Sequence, residues 1–550
     1  MSKTGSLMKK EENETSRASF ATISRATISR LTRLRWTSWF LLLAILFFAA
    51  LRFRLRDAPL ERDEGEYAYA GQLILKGIPP YQQAYNMKLP GTYAAYALVL
   101  AIFGQSSAGI HLGLIFINAA TSLLVFGIAK NLFGNRCAAF AGVSYAALSA
   151  SPALFGIAGH ATHFVVIAAA AGLLLLLHAV ENGRATLLLA SGLCLGLAFL
   201  MKQPGIFFCA FGLLYLIYRE WTATLPWKAM ATHSSILAAG MALPFALTCL
   251  VLYWMGVFRS FWFWTFSYAR AYGGIVTLHE GLHELQNSGA PIFTENAGFY
   301  LLAALGFVLL FRDVRARRHW LFIAGLLIFS FAAVSAGLFF RPHYFILLLP
   351  AMSLLVGIAV ETTTQALETQ GLGTFVVAIP AVVFGLAFFL SVFEARSILL
   401  APDSVTACRR LYRGNPFPEA RQLAELLKTS SPPDARIAVF GSEPEIFFYA
   451  QRRSATGYIY MYSLMEDQAF ATQMQQQMIN EVTASHPEFA VFVDDGLSWL
   501  FRPGQSREAF LRWIQQFLNA GYEQIDHIDI HSETLAGTTP RLYLYRRKPN

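Results

Sequence analysis

Glu61-Arg62-Asp63-Glu64-Gly65-Glu66-Tyr67-Ala68-Tyr69-Ala70-Gly71 places four carboxylates within six residues, just after the first strongly apolar run of the chain. Taking carboxylates out of water is expensive, so charges beside a membrane-length apolar segment need a reason. Two readings are open: a solvated loop on a bilayer surface, or a catalytic base at a membrane–water interface. The rest of the chain decides between them.

The 550 residues are 55% hydrophobic and only 14% charged, with a mean hydropathy of +0.45. A soluble protein would carry about twice that charge, so the composition describes a polytopic membrane protein. Residues 1–35 hold eight basic side chains against Glu11, Glu12 and Glu14. Such a basic arm ahead of an apolar run stays on the cytoplasmic side. It is short, rich in serine and threonine, and tied to a membrane anchor, which argues against a nucleic-acid partner. It carries the repeat Ala21-Thr22-Ile23-Ser24-Arg25 and Ala26-Thr27-Ile28-Ser29-Arg30, and reads as disordered or as a short surface helix. The apolar run follows a long leader without a small-residue cleavage site, and so reads as an anchor. Cys137, Cys194, Cys209, Cys249 and Cys408 are scattered, and suggest neither a disulfide framework nor a metal site.

Spanning segments need roughly 20 apolar residues. Eleven are expected, at 36–55, 108–130, 137–158, 162–180, 186–201, 204–219, 230–256, 297–311, 319–340, 343–360 and 373–393, with twelve or thirteen as the alternatives. Residues 92–103 are apolar but short, which suits an interfacial or re-entrant helix in a first external loop, 56–107. With the N-terminus inside, the short loops carrying Lys130 and Arg136, Arg184, Arg219 and Lys228, and Arg312, Arg315, Arg317 and Arg318 fall on the cytoplasmic face, as the positive-inside rule asks. Asp63, Glu64, Lys88, His160, His163, Lys202, Arg270, Arg341 and His343 then all fall on the opposite face. Ionisable groups gathered on one membrane surface are the signature of a reaction site.

Residues 394–550 read as a separate soluble α/β domain on that same face. Arg436–Gly441 and Glu488–Asp494 have the pattern of buried strands, Arg541–Tyr545 that of a final strand, and 418–429, 463–482 and 506–519 that of helices. The domain order is thus a basic arm 1–35, a transmembrane domain 36–393 and a soluble domain 394–550. Asp494-Asp495-Gly496 reads as a strand-ending turn, with cation binding as the alternative. Gly441-Ser442-Glu443 reads as a turn leading into a helix.

Asp63-Glu64 in a first outer loop, followed by Tyr67, Gly71 and Asn86-Met87-Lys88-Leu89-Pro90-Gly91, resembles the polyprenyl-phosphate-sugar transferases. These are integral-membrane glycosyltransferases of the C-type fold, among them protein O-mannosyltransferase-like, lipid A aminoarabinose and core galacturonic-acid transferases. Leu200-Met201-Lys202-Gln203-Pro204-Gly205 and Arg341-Pro342-His343-Tyr344 extend the resemblance over about 36–360.

The resemblance implies inverting transfer of one sugar from a polyprenyl-phosphate carrier to an extracytoplasmic glycolipid, glycan or protein, in a bacterial-type inner membrane. It makes Asp63 the general base, with Glu64 as its support or a solvated neighbour. A carboxylate within reach of an acceptor hydroxyl can take its proton as it attacks. The leaving phosphate needs cations, for which Lys88, Lys202 and Arg341 are the candidates, with Arg270, His343 and Tyr344 as further donor contacts. Each of Lys202 and Arg341 has a plainer reading as a snorkelling helix-end residue. His160 and His163 form a secondary polar site where several relatives carry an acidic residue. A metal there would need a third ligand, and no cofactor is indicated. Relatives of the aminoarabinose branch carry arginine at the position of Glu66, which implies a different sugar or acceptor. The aromatic run Phe258–Gly274 reads as an interfacial belt or as a sugar and lipid cleft. The rival readings are a lipid-linked sugar flippase or transporter, which would show internal repeats and midplane polar groups, and a glycan ligase or polymerase.

Overall fold

The computed structural model describes residues 36–500, 506–531 and 539–549. The basic arm 1–35 lies outside the described residues. Apolar residues at helical spacing make residues 36–399 a helical body. Its helices are α1 (Trp36–Arg54), α2 (Arg62–Leu75), α3 (Pro90–Phe103), α4 (Ser107–Phe133), α5 (Asn135–Leu148), α6 (Ala161–Asn182), α7 (Ala185–Met201), α8 (Ile206–Thr222) and α9 (Trp227–Trp254). There follow α10 (Phe258–Trp262), a π-helical turn Phe263–Tyr268, α11 (Ala269–Gly273), α12 (Leu278–Glu295), α13 (Ala297–Arg312), α14 (Val314–Arg317), α15 (Trp320–Ser335), α16 (Leu349–Thr369) and α17 (Thr374–Leu399).

Each of the eleven expected segments contains a helix, but not each is long enough to span. Six pass by length and composition: α1, α4, α6, α9, Pro342–Thr369 and α17. The pair α12–α13, bent by 98°, adds a seventh if it is one span, and α3, α7 and α15 are shorter apolar helices. The segment expected over 137–158 stops at Leu148. Pro152 opens a 3₁₀ turn there and Phe155 turns left-handed, because proline lacks the N–H that would continue the helix. The loop expected over 257–296 is almost wholly helical. Burial sorts the spans. The Pro342–Thr369 segment has 83% of its apolar window inside the body, against 17% for α9 and 22% for α17. That segment is the central pillar, packed on α5 and α13, and α9 and α17 present apolar surface suited to lipid.

The soluble domain adds α18 (Ser404–Tyr412), α19 (Phe417–Ser430), α20 (Glu445–Ala450), α21 (Tyr462–Met465), α22 (Ala471–Ser485), α23 (Gly496–Trp499) and α24 (Ser506–Gly521). Its sheet holds β1 (Arg436–Phe440), β2 (Arg453–Ser454), β3 (Phe489–Asp494), β4 (Tyr522–Asp529) and β5 (Arg541–Arg547), in the order β2-β1-β3-β5-β4. β1 pairs in parallel with β2 and β3, and β5 is antiparallel to β3 and β4. The expected strands stand; β2 and β4 are additional, one too short and the other too polar to have a strand signature.

This domain shares one hydrophobic core with α2 and α3. The Leu60 N–H donates to Tyr449 Oη at 2.9 Å, Ser454 N–H to Tyr69 Oη at 2.9 Å, and Tyr85 N–H to Gly457 O at 2.7 Å. One glycine permits this approach, and a second lets α3 close on α2. A Cβ on Gly65 would lie 2.6 Å from Glu445 N, and one on Gly71 2.9 Å from Ala97 N. The soluble domain is therefore seated directly on the helix that carries the acidic cluster.

Candidate active site

The acidic cluster is the start of α2. Glu61 is its N-cap: the Glu64 N–H donates to Glu61 Oε1 at 2.8 Å, and the Glu61 N–H donates to Glu64 Oε2 at 3.4 Å. This capping box satisfies donors that a helix start leaves open, and the helix dipole favours the carboxylates of the first turn. The turn then sends the four acids in different directions.

Asp63 faces a cavity of about 560 Å³ between the helical body and the soluble domain. Lys88 Nζ donates to Asp63 Oδ1 at 2.9 Å and to Tyr67 Oη at 3.0 Å, and lies 3.7 Å from Glu66 Oε2. Burial pushes the Asp63 carboxyl up, but the Lys88 ammonium, His160 and Lys202 outweigh it and hold Asp63 well below the ordinary carboxylate range. Glu66 is fully buried, accepting from Tyr93 Oη at 2.5 Å and Asn86 Nδ2 at 2.7 Å. Burial raises it to about 7 against the pull of Lys88. Burial, reinforced by Asp63 and Glu64, pushes Glu61 well above its ordinary value. Asp63 is thus the carboxylate of the group that stays ionised and reaches the cavity.

Glu64 points the other way. Its Oε1 accepts from Gly159 N–H at 2.6 Å and lies 3.1 Å from His111 Nε2. Tyr96 Oη donates to Gly159 O at 2.6 Å. Glu64 therefore ties α2 to the turn before α6 and does not line the cavity.

The cations come from separate elements. Lys88 precedes α3, Lys202 ends α7, and Arg341 precedes the 3₁₀ run Pro342–Leu348 that leads into α16. The approach of α7 is fixed by Gln203 Nε2 to Met87 O and Thr92 Oγ1 to Met201 O, each 2.7 Å. Lys202 Nζ lies 3.9 Å from the Tyr344 ring centroid, and the Arg341 guanidinium lies 5.7 Å from the Phe339 ring centroid. Lys88 has carboxylate partners; among the described residues neither Lys202 nor Arg341 has one within ion-pair distance. Burial, helped by Lys88 and Arg341, lowers Lys202 to about 7. An anion entering the cavity meets two cations with no carboxylate of their own to release.

His343 and Tyr344 also line the cavity, as does His160. His343 Nε2 is 3.9 Å from Asp63 Oδ2. His160 stacks on His343 with centroids 4.0 Å apart and planes 9° apart, so the pairing is across elements rather than with His163. His163 is buried within α6 and does not reach the cavity. Burial lowers His160 to about 4, against Asp63 and Glu64. Asp63, His160 and His343 offer ligand atoms within 4.8 Å of one another. Imidazole lone pairs lie in the ring plane, however, and those of stacked parallel rings do not converge on one ion. Lys88 already holds the other carboxylate oxygen. As arranged, the trio is no chelate.

Arg270 lies on the exposed face of α11 and does not line the cavity. Tyr268 and Tyr272, four residues apart, take the inward face, which turns Arg270 outward. The soluble domain supplies a wall that no sequence motif announced: Tyr412, Asn415, Phe417, Tyr460, Tyr462 and Glu466. The run Tyr458-Ile459-Tyr460-Met461-Tyr462 was its one visible signal, an aromatic cluster in an otherwise unremarkable loop. With Trp264, Tyr268 and Tyr272 from the helical body, these rings line the cavity together with its cations.

Residues 88–271 match the family described as dolichyl-phosphate-mannose-protein mannosyltransferase. No curated protein sequence matches the chain. Among solved structures the chain is similar to ArnT from Cupriavidus metallidurans bound to undecaprenyl phosphate, with a TM-score of 0.58 and 15% identity over 92% of this chain and 98% of that one. It is also similar to the Archaeoglobus fulgidus oligosaccharyltransferase, with a TM-score of 0.54 and 12% identity over 94% of this chain and 74% of that one, in a form tethered to an acceptor peptide. The matched segment lies within the helical body, and the likeness to these structures over nearly the whole chain shows that it shares their fold.

Proposed function

We propose that the protein transfers a single sugar, with inversion, from a polyprenyl-phosphate carrier to a hydroxyl acceptor outside the cytoplasm. The observation that carries this reading is the Asp63 carboxylate facing a cavity whose cations Lys202 and Arg341 have, among the described residues, no carboxylate within ion-pair distance. The acceptor hydroxyl attacks the anomeric carbon and gives its proton to Asp63 Oδ2, since Oδ1 is held by Lys88. The bond from the anomeric carbon to the phosphate oxygen breaks, and the electron pair leaves with the lipid phosphate. Lys202 and Arg341 meet the charge that grows on that oxygen, and the aromatic wall covers the apolar face of the sugar. The two similar structures, one bound to undecaprenyl phosphate and one tethered to an acceptor peptide, favour a lipid-phosphate donor and an external acceptor. Asp63 as base, Glu64 as its anchor, and Lys88, Lys202, Arg341, His343 and Tyr344 as donor contacts are parts of this proposal.

The orientation belongs to it as well: a bacterial-type plasma membrane, the N-terminus in the cytoplasm, and the soluble domain outside. A reporter fused after residue 400 is expected to be active only outside the cytoplasm. The reaction is tested by incubating the membrane-reconstituted protein with a panel of labelled polyprenyl-phosphate sugars and a cell-envelope extract. Release of free polyprenyl phosphate together with an inverted glycoside is expected. Turnover of none of the panel, or a retained anomeric configuration, contradicts the reading.

A further inference from the structure

In the soluble domain β2 lies on one side of β1 and β3 on the other, all three parallel. Where an open sheet changes direction in this way, the crevice at the carboxyl ends of the strands is its natural ligand site. Here the crevice holds a side chain of the helical body. Arg62 Nε donates to Ser442 O at 2.7 Å, its second nitrogen to Glu443 Oε1 at 2.9 Å, and its third to Asn415 Oδ1 at 2.9 Å. Glu443 Oε2 accepts from Ser498 Oγ at 2.6 Å, and that hydroxyl oxygen accepts from Ser442 N–H at 2.7 Å. The carboxylates of Asp495 and Glu445 act on the same neighbourhood. The Phe417 and Tyr462 rings flank the guanidinium, with centroids 5.3 and 5.7 Å away. One turn on, Gly65 lies flush against the start of α20.

All three nitrogens of the guanidinium are held, by partners 353 to 381 residues away in sequence. A buried ion pair contributes little net stability compared with apolar packing, because both charges lose their water. What such a pair does supply is a fixed position. The next residue in the chain is Asp63.

We infer that Arg62 is a positioning residue, gripped in the β1–β3 crevice of the soluble domain so that the first turn of α2 holds Asp63 at the acceptor hydroxyl. The inference rests on the reaction proposed above. It makes the soluble domain part of the catalytic register. The phosphate-facing cations Lys202 and Arg341 come from the end of α7 and from the start of the 3₁₀ run, which this grip does not hold. Loosening it therefore acts on turnover and spares donor binding.

The test uses the full-length protein in lipid nanodiscs, with R62M, R62K and E443Q. With the polyprenyl-phosphate sugar that the wild type turns over, R62M and E443Q are expected to lower kcat by about 10–100-fold, the scale of a misplacement near 1 Å. Donor KM and undecaprenyl phosphate affinity stay within about twofold, because Lys202 and Arg341, which face the phosphate, are held by other elements. R62K keeps the charge but loses the fork and recovers part of the rate. A raised KM with unchanged kcat, or no kinetic change, overturns the inference. Hydrogen exchange over 61–66 gives a second readout that needs no substrate. E443Q is expected to speed it at least about tenfold while leaving α17 unchanged, and unaltered exchange overturns the inference. If the wild type turns over no donor, the proposed reaction falls, and the exchange result still decides whether the soluble domain holds this turn.

Discussion

The two faces of the first turn of α2 make opposite use of the same chemistry. On the cavity face, Asp63 pairs with Lys88 at the edge of open space, each about one-sixth exposed (18% and 14%). Away from the open edge, Arg62, which also borders the cavity, pairs with Glu443, and Glu64 with His111 and Gly159, with side chains no more than 9% exposed. The buried pairs have every strong contact filled by protein, so they fix positions. The open pair keeps one carboxylate oxygen unclaimed by Lys88. The contrast shows that charge density in a sequence does not locate chemistry; an unfilled contact on an ionised group does.

The contrast can be broken most severely at Asp63. D63N is expected to lower transfer by roughly 10²–10⁴-fold, the usual contribution of a general base, measured as initial rate in reconstituted membranes. Across the turn, E64A removes a buried partner of His111 and Gly159. It is expected to cost roughly 3–5 kcal/mol of stability, read as a lower thermal midpoint, with whatever rate loss follows from disorder in α2. R341A is expected to weaken undecaprenyl phosphate binding by about 10–100-fold, matching the ~1.5–3 kcal/mol of a hydrogen bond to a charged group. Lys202 gives a pH signature. With its pKa lowered to about 7, it is neutral above that value and gains its charge as pH falls through it. The affinity advantage of wild type over K202M is therefore expected to grow between about pH 8.5 and about pH 6, and K202R to flatten the dependence, since arginine stays charged throughout. The smallest effect is at Arg270, whose exposed position predicts less than about twofold change in R270A.

Much of this site was legible because hydropathy places span ends, and the ends carry the charges. Lys88, His160, Lys202, Arg341 and His343 were all expected on one face, and they line one cavity. Arg270 was misplaced because its segment read as a loop, and only the observed helix sets the phase that turns it outward. An apolar run looks the same whether lipid or other helices bury it, so hydropathy expects eleven spans where six helices, or seven with the bent α12–α13 pair, are long and apolar enough to cross by length and composition among the described residues. Glu64 read as an accessory to Asp63, and nothing local revealed that it reaches Gly159. The grip on Arg62 and the Tyr460 and Tyr462 wall depend on contacts across hundreds of residues, which neither periodicity nor spacing encodes.

The most direct test of the account is to measure D63N side by side for undecaprenyl phosphate affinity and for single-turnover transfer. Affinity within about threefold of wild type, with transfer lost, is the predicted result, because the phosphate-facing cations and the base are separate groups. Transfer persisting near the wild-type rate would contradict it.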